Sequence, residues 1–133
     1  MSKDEYDAGL AVRYRMFGRS VTDEQIQAAG MITRPIQDLV TEQCFGGTWS
    51  RPGLDLKTRS LLTVAILIAM GRSHELKIHL KGAVANGADA TEIRELIRHA
   101  AIYCGLPPAA EAAYVSEAVL AELGVEMEEP GHD

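Results

Sequence analysis

Residues 58–71 read TRSLLTVAILIAMG, and this stretch indicates the fold class. From position 60 to position 70 it contains no charged residue, and its apolar side chains would cover a helix almost all round. Such a helix is typically buried by neighbours on several sides. Its β-branched residues leave a buried strand as the alternative, but the run is long for a strand and no hairpin partner is visible. We therefore expect a central helix that begins near Leu56.

The residues before this stretch predict three shorter helices, which cover residues 4–17, 23–30 and 33–45. Gly18 ends the first helix, and the hydroxyl of Thr22 can cap the second. Pro35 fits the first turn of the third helix, where a missing N–H removes no hydrogen bond. Two glycines end this helix, so we expect residues 46–56 to form the longest loop.

Three further helices follow the central one, and each has start or stop signals. Ser73 can cap the first of them, which ends at Asn86-Gly87. The second begins at the capping-box pair Asp89 and Glu92 and ends at Gly105. The third begins at Pro107-Pro108 and reaches Gly124. The sequence therefore predicts an all-α bundle of about six to seven helices. We expect one domain over residues 1–124 and an acidic flexible tail over residues 125–133.

The composition excludes several classes of protein. The chain has 133 residues, of which 47% are hydrophobic and 24% charged, so it can bury the core of one domain and is not disordered. Its net charge is −6, and five of its acids lie in the last twelve residues, which contain no Lys or Arg. The rest of the chain is close to neutral, which is unlike a nucleic-acid-binding surface.

The expected location follows from the cysteines and from the apolar segments. Cys44 and Cys104 are too few for a disulfide framework, and the first residues lack the apolar segment of a signal peptide. As a helix, residues 61–70 would rise only about 15 Å, half of a bilayer's apolar core. We expect a soluble cytoplasmic protein that does not enter a membrane.

Glu75 and His79 are the first candidate pair for chemistry. They are four residues apart on a predicted helix and share one face. A carboxylate beside an imidazole holds its tautomer, raises its pKa and makes it a proton donor near neutral pH. The alternative is an ordinary surface pair, which is the more common occurrence of this spacing.

A zinc site is not expected beside this pair. His74 and His79 are five residues apart, about 140° around a helix, whereas the HExxH motif of zinc enzymes needs a spacing of four. Two imidazoles directed in this way do not converge on one ion, so we expect no metal.

Two other groups are weaker candidates. His99 and Tyr103 are again one turn apart, and Cys104 follows them. Core packing of Tyr103 and Cys104, with His99 bonded to Glu95 at the surface, is the alternative for this group. The second group, in or beside the predicted loop, is Trp49, Arg51 and Arg59, whose guanidinium groups suit carboxylates. The alternative is a loop that lies over a neighbouring subunit.

Taken together, these positions form longer strings that resemble a known family. Residues 48–87, TWSRPGLDLKTRSLLTVAILIAMGRSHELKIHLKGAVANG, and residues 92–109, EIRELIRHAAIYCGLPPA, resemble the carboxymuconolactone decarboxylase family, as does the opening EYDAGLAVRYRMFG. The match spans residues 6–123. The wider superfamily is similar to the alkyl hydroperoxidase D proteins. The resemblance implies an all-helical homo-oligomer, a trimer or a hexamer built as a trimer of dimers, with active sites often formed between protomers.

The resemblance also separates two chemistries. The peroxidase branch of the superfamily has C-x-x-C-x-x-x-H with a glutamate twelve residues before the first cysteine. With its histidine placed on His79, the cysteine positions are Arg72 and Glu75, and the glutamate position is Ser60. Peroxide reduction needs a thiolate nucleophile, which is missing there. The substitutions favour the decarboxylase branch, and the peroxidase alternative is disfavoured.

The activity implied by the resemblance is the cofactor-independent decarboxylation of 4-carboxymuconolactone to 3-oxoadipate enol-lactone, in the protocatechuate branch of the β-ketoadipate pathway. His79 tuned by Glu75 would deliver the proton, and Arg51 or Arg59 would hold a carboxylate or the dienolate oxygen. His99 and Tyr103 are further hydrogen-bonding candidates, and Trp49 is a candidate apolar wall. The alternatives are a relative that acts on another lactone or small acid, and a non-enzymatic oligomer that binds a small acid or a partner protein.

Overall fold

The computed structural model describes residues 2–127, and every regular element in that range is helical. The elements are α1 (Lys3–Phe17), α2 (Arg19–Ala28), α3 (Thr33–Leu39), a π-helical segment (Val40–Trp49), α4 (Leu56–Met70), α5 (Ser73–Ala85), α6 (Ala90–Cys104) and α7 (Leu106–Glu122). No strand occurs within these described residues. The predicted all-α class is confirmed, as is the predicted number of helices.

The chain divides into two compact units, Met1–Arg59 and Ser60–Asp133, which are described separately below. The predicted acidic tail begins at Val125, which packs against the core of the second unit. Positions 128–133 of this tail lie outside the described residues, so its flexibility stays a prediction.

Several helix ends agree with the signals in the sequence. Gly18 and Gly105 end α1 and α6 with φ angles of 88° and 91°, a left-handed conformation that other residues rarely adopt. Asp89 accepts a hydrogen bond from the Glu92 amide, and the Glu92 side chain accepts one from the Asp89 amide. The predicted capping box of α6 is thus confirmed.

Two predicted caps are wrong. Thr22 lies inside α2, which begins at Arg19, and its buried hydroxyl donates to the carbonyl oxygen of Arg13 at 3.4 Å. Ser73 is the first residue of α5 rather than its cap, and its hydroxyl donates to Glu111 at 2.6 Å. In both cases the hydroxyl bonds to a residue on another helix and therefore does not cap its own helix. The local sequence does not indicate such partners.

The predicted loop at residues 46–56 is also wrong in its first part. The helix that contains Pro35 does not stop at the two glycines but continues as the π-helical segment through Trp49. Residues 50–55 alone then connect this segment to α4. The first of the two glycines, Gly46, permits close packing against α1 and does not end the helix.

In the first unit, α1 and the π-helical segment pack backbone against backbone. A Cβ atom added at Gly9 would lie 1.7 Å from the carbonyl oxygen of Thr41, and one added at Gly46 would lie 1.9 Å from that of Glu5. Beside this contact, Phe45 and Trp49 form an apolar cluster with side chains of α1. Only glycine allows the two backbones to approach so closely.

In the second unit, the core is built from one face of each of α4, α5, α6 and α7. Its buried members include Val64, Ile68, Leu76, Leu80 and Ile93. Val64 and Leu80 are fully shielded from solvent. This core fixes the rotation of α5 about its own axis, and that rotation decides where the candidate site residues point.

The expectation that α4 is buried on several sides is wrong for this chain. Ser60, Val64 and Ile68 form a single buried stripe. Along the helix, Leu62, Ile66 and Met70 remain 49%, 57% and 64% exposed. Water therefore meets a row of large apolar side chains, which is costly and favours a covering partner.

No helix in the range 2–127 combines the length and the apolar character needed to cross a bilayer.

Replacing Gly9 by alanine is expected to destabilise the protein. The new methyl group would overlap the Thr41 carbonyl, so the backbones must separate, at a cost of roughly 1–3 kcal/mol or more. Urea unfolding followed by circular dichroism measures this loss. Gly30→Ala is the control, because no atom lies within 4 Å of its added Cβ. Equal stability of the two variants would contradict the close packing.

From the exposed row on α4, we propose a homo-oligomer, and sedimentation velocity at micromolar concentration should give a mass well above 14.4 kDa. Ile66→Glu should lower that mass, because it places a charge among apolar side chains that the partner would cover. Gln27→Glu, which adds one charge at an exposed polar position, should leave the mass unchanged. A wild-type monomer would contradict the proposal.

Candidate active site

Glu75 and His79 lie one turn apart on α5, as the sequence predicts, and both are half-buried. The face of the helix beside this pair turns inward, where Leu76, Leu80 and Ala83 are buried. Because side chains four residues apart share a helix face, the core packing also fixes the direction of the pair. The pair is therefore neither fully solvated nor fully enclosed.

The Glu75 carboxylate is held by Arg72, which directly precedes α5. Nη2 of Arg72 donates to Oε1 of Glu75 at 2.6 Å, and Nε faces Oε2 at 3.4 Å. These bonds lower the pKa of Glu75 to about 2, with a further contribution from its own backbone N–H. Glu75 is therefore a carboxylate, not an acid, at neutral pH.

The pKa of His79 moves in the direction opposite to the expected one. Burial lowers it below 6.5, and although the charge of Glu75 raises it, burial is the larger effect. At neutral pH the imidazole is therefore mainly uncharged in the free protein. The expected sign of the Glu75 effect is correct, but the expected protonated imidazole near pH 7 is wrong.

A buried polar contact anchors the far end of α5. Nδ2 of Asn86 donates to Oγ of Ser60 at 2.9 Å, and both residues are buried. This bond ties the end of α5 to α4, so it helps to hold the helix that presents Glu75 and His79. Gly87 follows with a φ of 100°, which confirms the predicted left-handed end of this helix.

Within residues 2–127, no three His, Cys, Asp or Glu side chains are grouped as metal ligands would be. His74 is exposed, whereas His79 is half-buried.

His99 and Tyr103 lie on α6 and do not join Glu75 and His79. Their rings are 5.1 Å apart between centroids, and with Cys104, Leu96 and Ala65 they border a cavity of about 430 Å³. Neither Glu75 nor His79 lines this cavity. Core packing of Tyr103 is wrong, because this side chain is 79% exposed. Half-buried Cys104 packs against the core as a free thiol, as its alternative interpretation expects.

Trp49, Arg51 and Arg59 belong to the first unit. Trp49 ends the π-helical segment and is only 6% exposed, with its ring 5.4 Å from that of Phe45. As a core residue in this chain, it presents little surface to a ligand. Arg51 is exposed, and Nη2 of Arg59 donates to its carbonyl oxygen at 3.2 Å.

Sequence reasoning missed Arg72 and the contact between Ser60 and Asn86 as parts of the site. A signal for the first was present, because Arg72 and Glu75 have the i,i+3 spacing of a helical ion pair. No local signal existed for the second, since its partners are 26 residues apart.

The arrangement on α5 suits proton transfer. An uncharged imidazole beside a fixed carboxylate can accept a proton and return it to a neighbouring carbon or oxygen. The fold is thus that of an all-α protein, and one of its helices presents a candidate acid–base pair.

Comparison with known proteins gives the family. The model of the carboxymuconolactone decarboxylase family matches residues 34–118, and the chain belongs to this family. It is 41% identical over 118 residues to the nitrosuccinic acid decarboxylase of Metarhizium robertsii, a match that covers 89% of this chain and 82% of that protein. It is 35% identical over 131 residues to the 4-carboxymuconolactone decarboxylase of Acinetobacter baylyi, covering 98% of each. An uncharacterized Paracoccus denitrificans protein is 33% identical over 110 residues, covering 81% of this chain and 82% of that protein.

Proposed function

We propose that this protein is a carboxy-lyase that decarboxylates 4-carboxymuconolactone to 3-oxoadipate enol-lactone and CO2, without a cofactor. The observation that carries the proposal is the half-buried His79 one turn from a fixed, ionised Glu75, in a chain that is similar to two proteins named as decarboxylases. We place the reaction in the cytoplasm, in the protocatechuate branch of the β-ketoadipate pathway.

The substrate explains why no cofactor is needed. The lactone has two acidic arms on its saturated ring carbon, a carboxylate attached directly and a carboxymethyl group. Loss of the direct carboxylate as CO2 leaves an electron pair that is conjugated through the C=C bond to the lactone carbonyl. The resulting dienolate is protonated beside that carbonyl to give the enol-lactone. The protein must anchor the substrate, stabilise the developing oxygen charge and supply one proton.

We assign the proton to Nε2 or Nδ1 of His79, whose pKa must then rise on binding. The substrate is a dianion, and a negative charge near an imidazole favours its protonated form. Binding would thus reverse the lowering that burial causes in the free protein. The imidazolium gives its proton to the dienolate carbon as the negative charge leaves the carboxylate, and solvent then restores it. Glu75, ionised throughout, stabilises the imidazolium.

The remaining residue assignments are proposals from residue type. Arg51 or Arg59 would bind the surviving carboxymethyl group, because guanidinium groups pair with carboxylates in bidentate fashion. His99 and Tyr103 would donate hydrogen bonds to the lactone, but residue type alone supports this assignment, because the apolar cavity that they border is not lined by Glu75 or His79. Trp49 is the weakest assignment, since its side chain is buried.

Nitrosuccinate is the second candidate substrate, and the identity to a nitrosuccinic acid decarboxylase favours it. Its decarboxylation also needs an electron-withdrawing group to accept the electron pair that CO2 leaves behind. A carboxylate leaves a carbon that bears an electron-withdrawing nitro group, and a second carboxylate on the neighbouring carbon is available for binding. The electron pair moves onto the nitro group, and the carbon must then take up a proton. The same acid–base pair would serve both reactions, so the anchoring residues would decide between them.

Removing the imidazole of His79 is expected to abolish most of the activity. With 4-carboxymuconolactone and with nitrosuccinate, CO2 release by His79→Ala should fall roughly 10²–10⁴-fold in kcat, the usual contribution of general acid catalysis. Glu75→Gln should move the alkaline limb of the pH–rate profile to lower pH, because Glu75 raises the pKa of His79.

His74→Ala is the matched control for this assay, because it removes an exposed imidazole from the same helix. Its kcat should stay near that of the wild type. Turnover of neither substrate by the wild type would overturn the proposed function. Normal turnover by His79→Ala would instead remove this residue from the role of proton donor.

The reaction is expected to proceed without a metal ion, because the substrate holds its own electron sink. Activity should therefore survive exhaustive dialysis against EDTA, measured by CO2 release before and after treatment. Loss of activity that zinc or manganese restores would contradict the mechanism.

A further inference from the structure

We propose that Arg72 is a positioning residue for the acid–base pair, because it holds the Glu75 carboxylate in one orientation and thereby sets the proton occupancy of His79. The catalytic meaning of this inference rests on the proposed function, but the interaction itself is a property of the free protein.

Two nitrogens of Arg72 contact the two carboxylate oxygens of Glu75, and we call this contact the clamp. Arg72 precedes α5 in a non-helical conformation, with φ −96° and ψ 72°. Its carbonyl oxygen accepts a hydrogen bond from the Leu76 amide at 2.9 Å, but its side chain makes no capping hydrogen bond to the helix. Nη2 and Nε, on one edge of its planar guanidinium group, face the two separate oxygens of Glu75. A fork of this kind restricts rotation of the carboxylate far more than a single contact does.

The direction of the clamp matters for His79. Arg72 precedes Glu75 by three residues, whereas His79 follows it by four, so the two lie at opposite ends of the carboxylate along the helix axis. The clamp therefore holds the oxygens beside Arg72, at the start of α5, and also neutralises part of their charge. Without it, the oxygens are free to turn toward His79.

The charged groups on the neighbouring helices have partners or positions of their own, apart from the contact between Arg72 and Glu75. From Ser60 onward, α4 contains no ionisable side chain. The acids of α7 are Glu111, which is bonded to Ser73; Glu122, which is paired with Lys81; and Glu117, which lines a cavity between α6 and α7.

On α6, Glu92 belongs to the capping box, Arg94 pairs with Glu95, and Arg98 and His99 are exposed. On α5 itself, His74 acts on Glu75, while Lys77 is exposed. Glu75, by contrast, raises the pKa of His79 through its charge.

A double-mutant cycle read by NMR tests the proposal. The imidazole signals of His79 are titrated in the full-length protein without substrate, in the wild type, Arg72→Met, Glu75→Gln and the double variant. Arg72→Met should raise the pKa of His79 by roughly 0.3 to 1, because the freed carboxylate approaches it. Glu75→Gln should lower that pKa. In the Glu75→Gln background, Arg72→Met should change nothing.

Two further variants complete the experiment. Arg94→Met removes another surface arginine that pairs with a glutamate, on α6, and should leave His79 unchanged. Arg72→Lys keeps the charge but not the fork, and should give an intermediate shift, which a purely structural role would not produce. A backbone amide spectrum confirms that each variant is folded, and Arg72→Gln replaces Arg72→Met if that variant is not.

Two results would overturn the inference. If Arg72→Met shifts His79 equally in both backgrounds, Arg72 acts through its own charge and not through Glu75. If it shifts His79 in neither, the clamp has no influence on the imidazole. Because no substrate is present, inactivity of the wild type would overturn the proposed function alone and leave this outcome interpretable.

Discussion

The apolar stripe of α5 is the constraint on which the candidate site depends. Leu76 and Leu80 are buried in the core of the second unit, and this burial fixes the rotation of the helix. Burying two leucine side chains contributes on the order of 3–6 kcal/mol, far more than the ion pair between exposed Arg72 and half-buried Glu75. The core therefore determines where the acid–base pair points, and the ion pair only adjusts it.

At His79, burial and the charge of Glu75 have opposite effects on the pKa of the imidazole. Partial removal of the imidazole from water disfavours its charged form, and a carboxylate one turn away favours that form. In the free protein the first effect is the larger. A negative charge that comes near this imidazole favours its protonated form and so opposes the effect of burial.

Local signals in the sequence are sufficient for most of the fold, because glycine, proline and capping patterns act within a few residues. Gly18, Gly105 and the Asp89–Glu92 box lie where the sequence predicts them. The predicted caps at Thr22 and Ser73 are wrong because each hydroxyl bonds to a residue elsewhere in the chain. Local patterns contain no information on such partners.

The candidate site is predicted less completely than the fold. The spacing of Glu75 and His79 identifies the pair. The pKa of the imidazole, however, depends on how deeply that side chain is buried, and the spacing does not indicate its burial. Exposure of Tyr103 and burial of Trp49 were likewise decided by packing. The ion pair of Arg72 with Glu75 could have been predicted from the sequence, because the two residues have the i,i+3 spacing of a helical ion pair.

The contact between α1 and the π-helical segment has a consequence for local unfolding. A π-helix ten residues long is unusual and is not stabilised by its own geometry, so this one depends on the helix packed against its backbone. Gly9 and Gly46 leave no side chain between them to act as a spacer. When α1 separates, the segment loses its support and its amides become open to solvent. The two elements should therefore exchange their amide hydrogens together, as one cooperative unit of the first half of the chain.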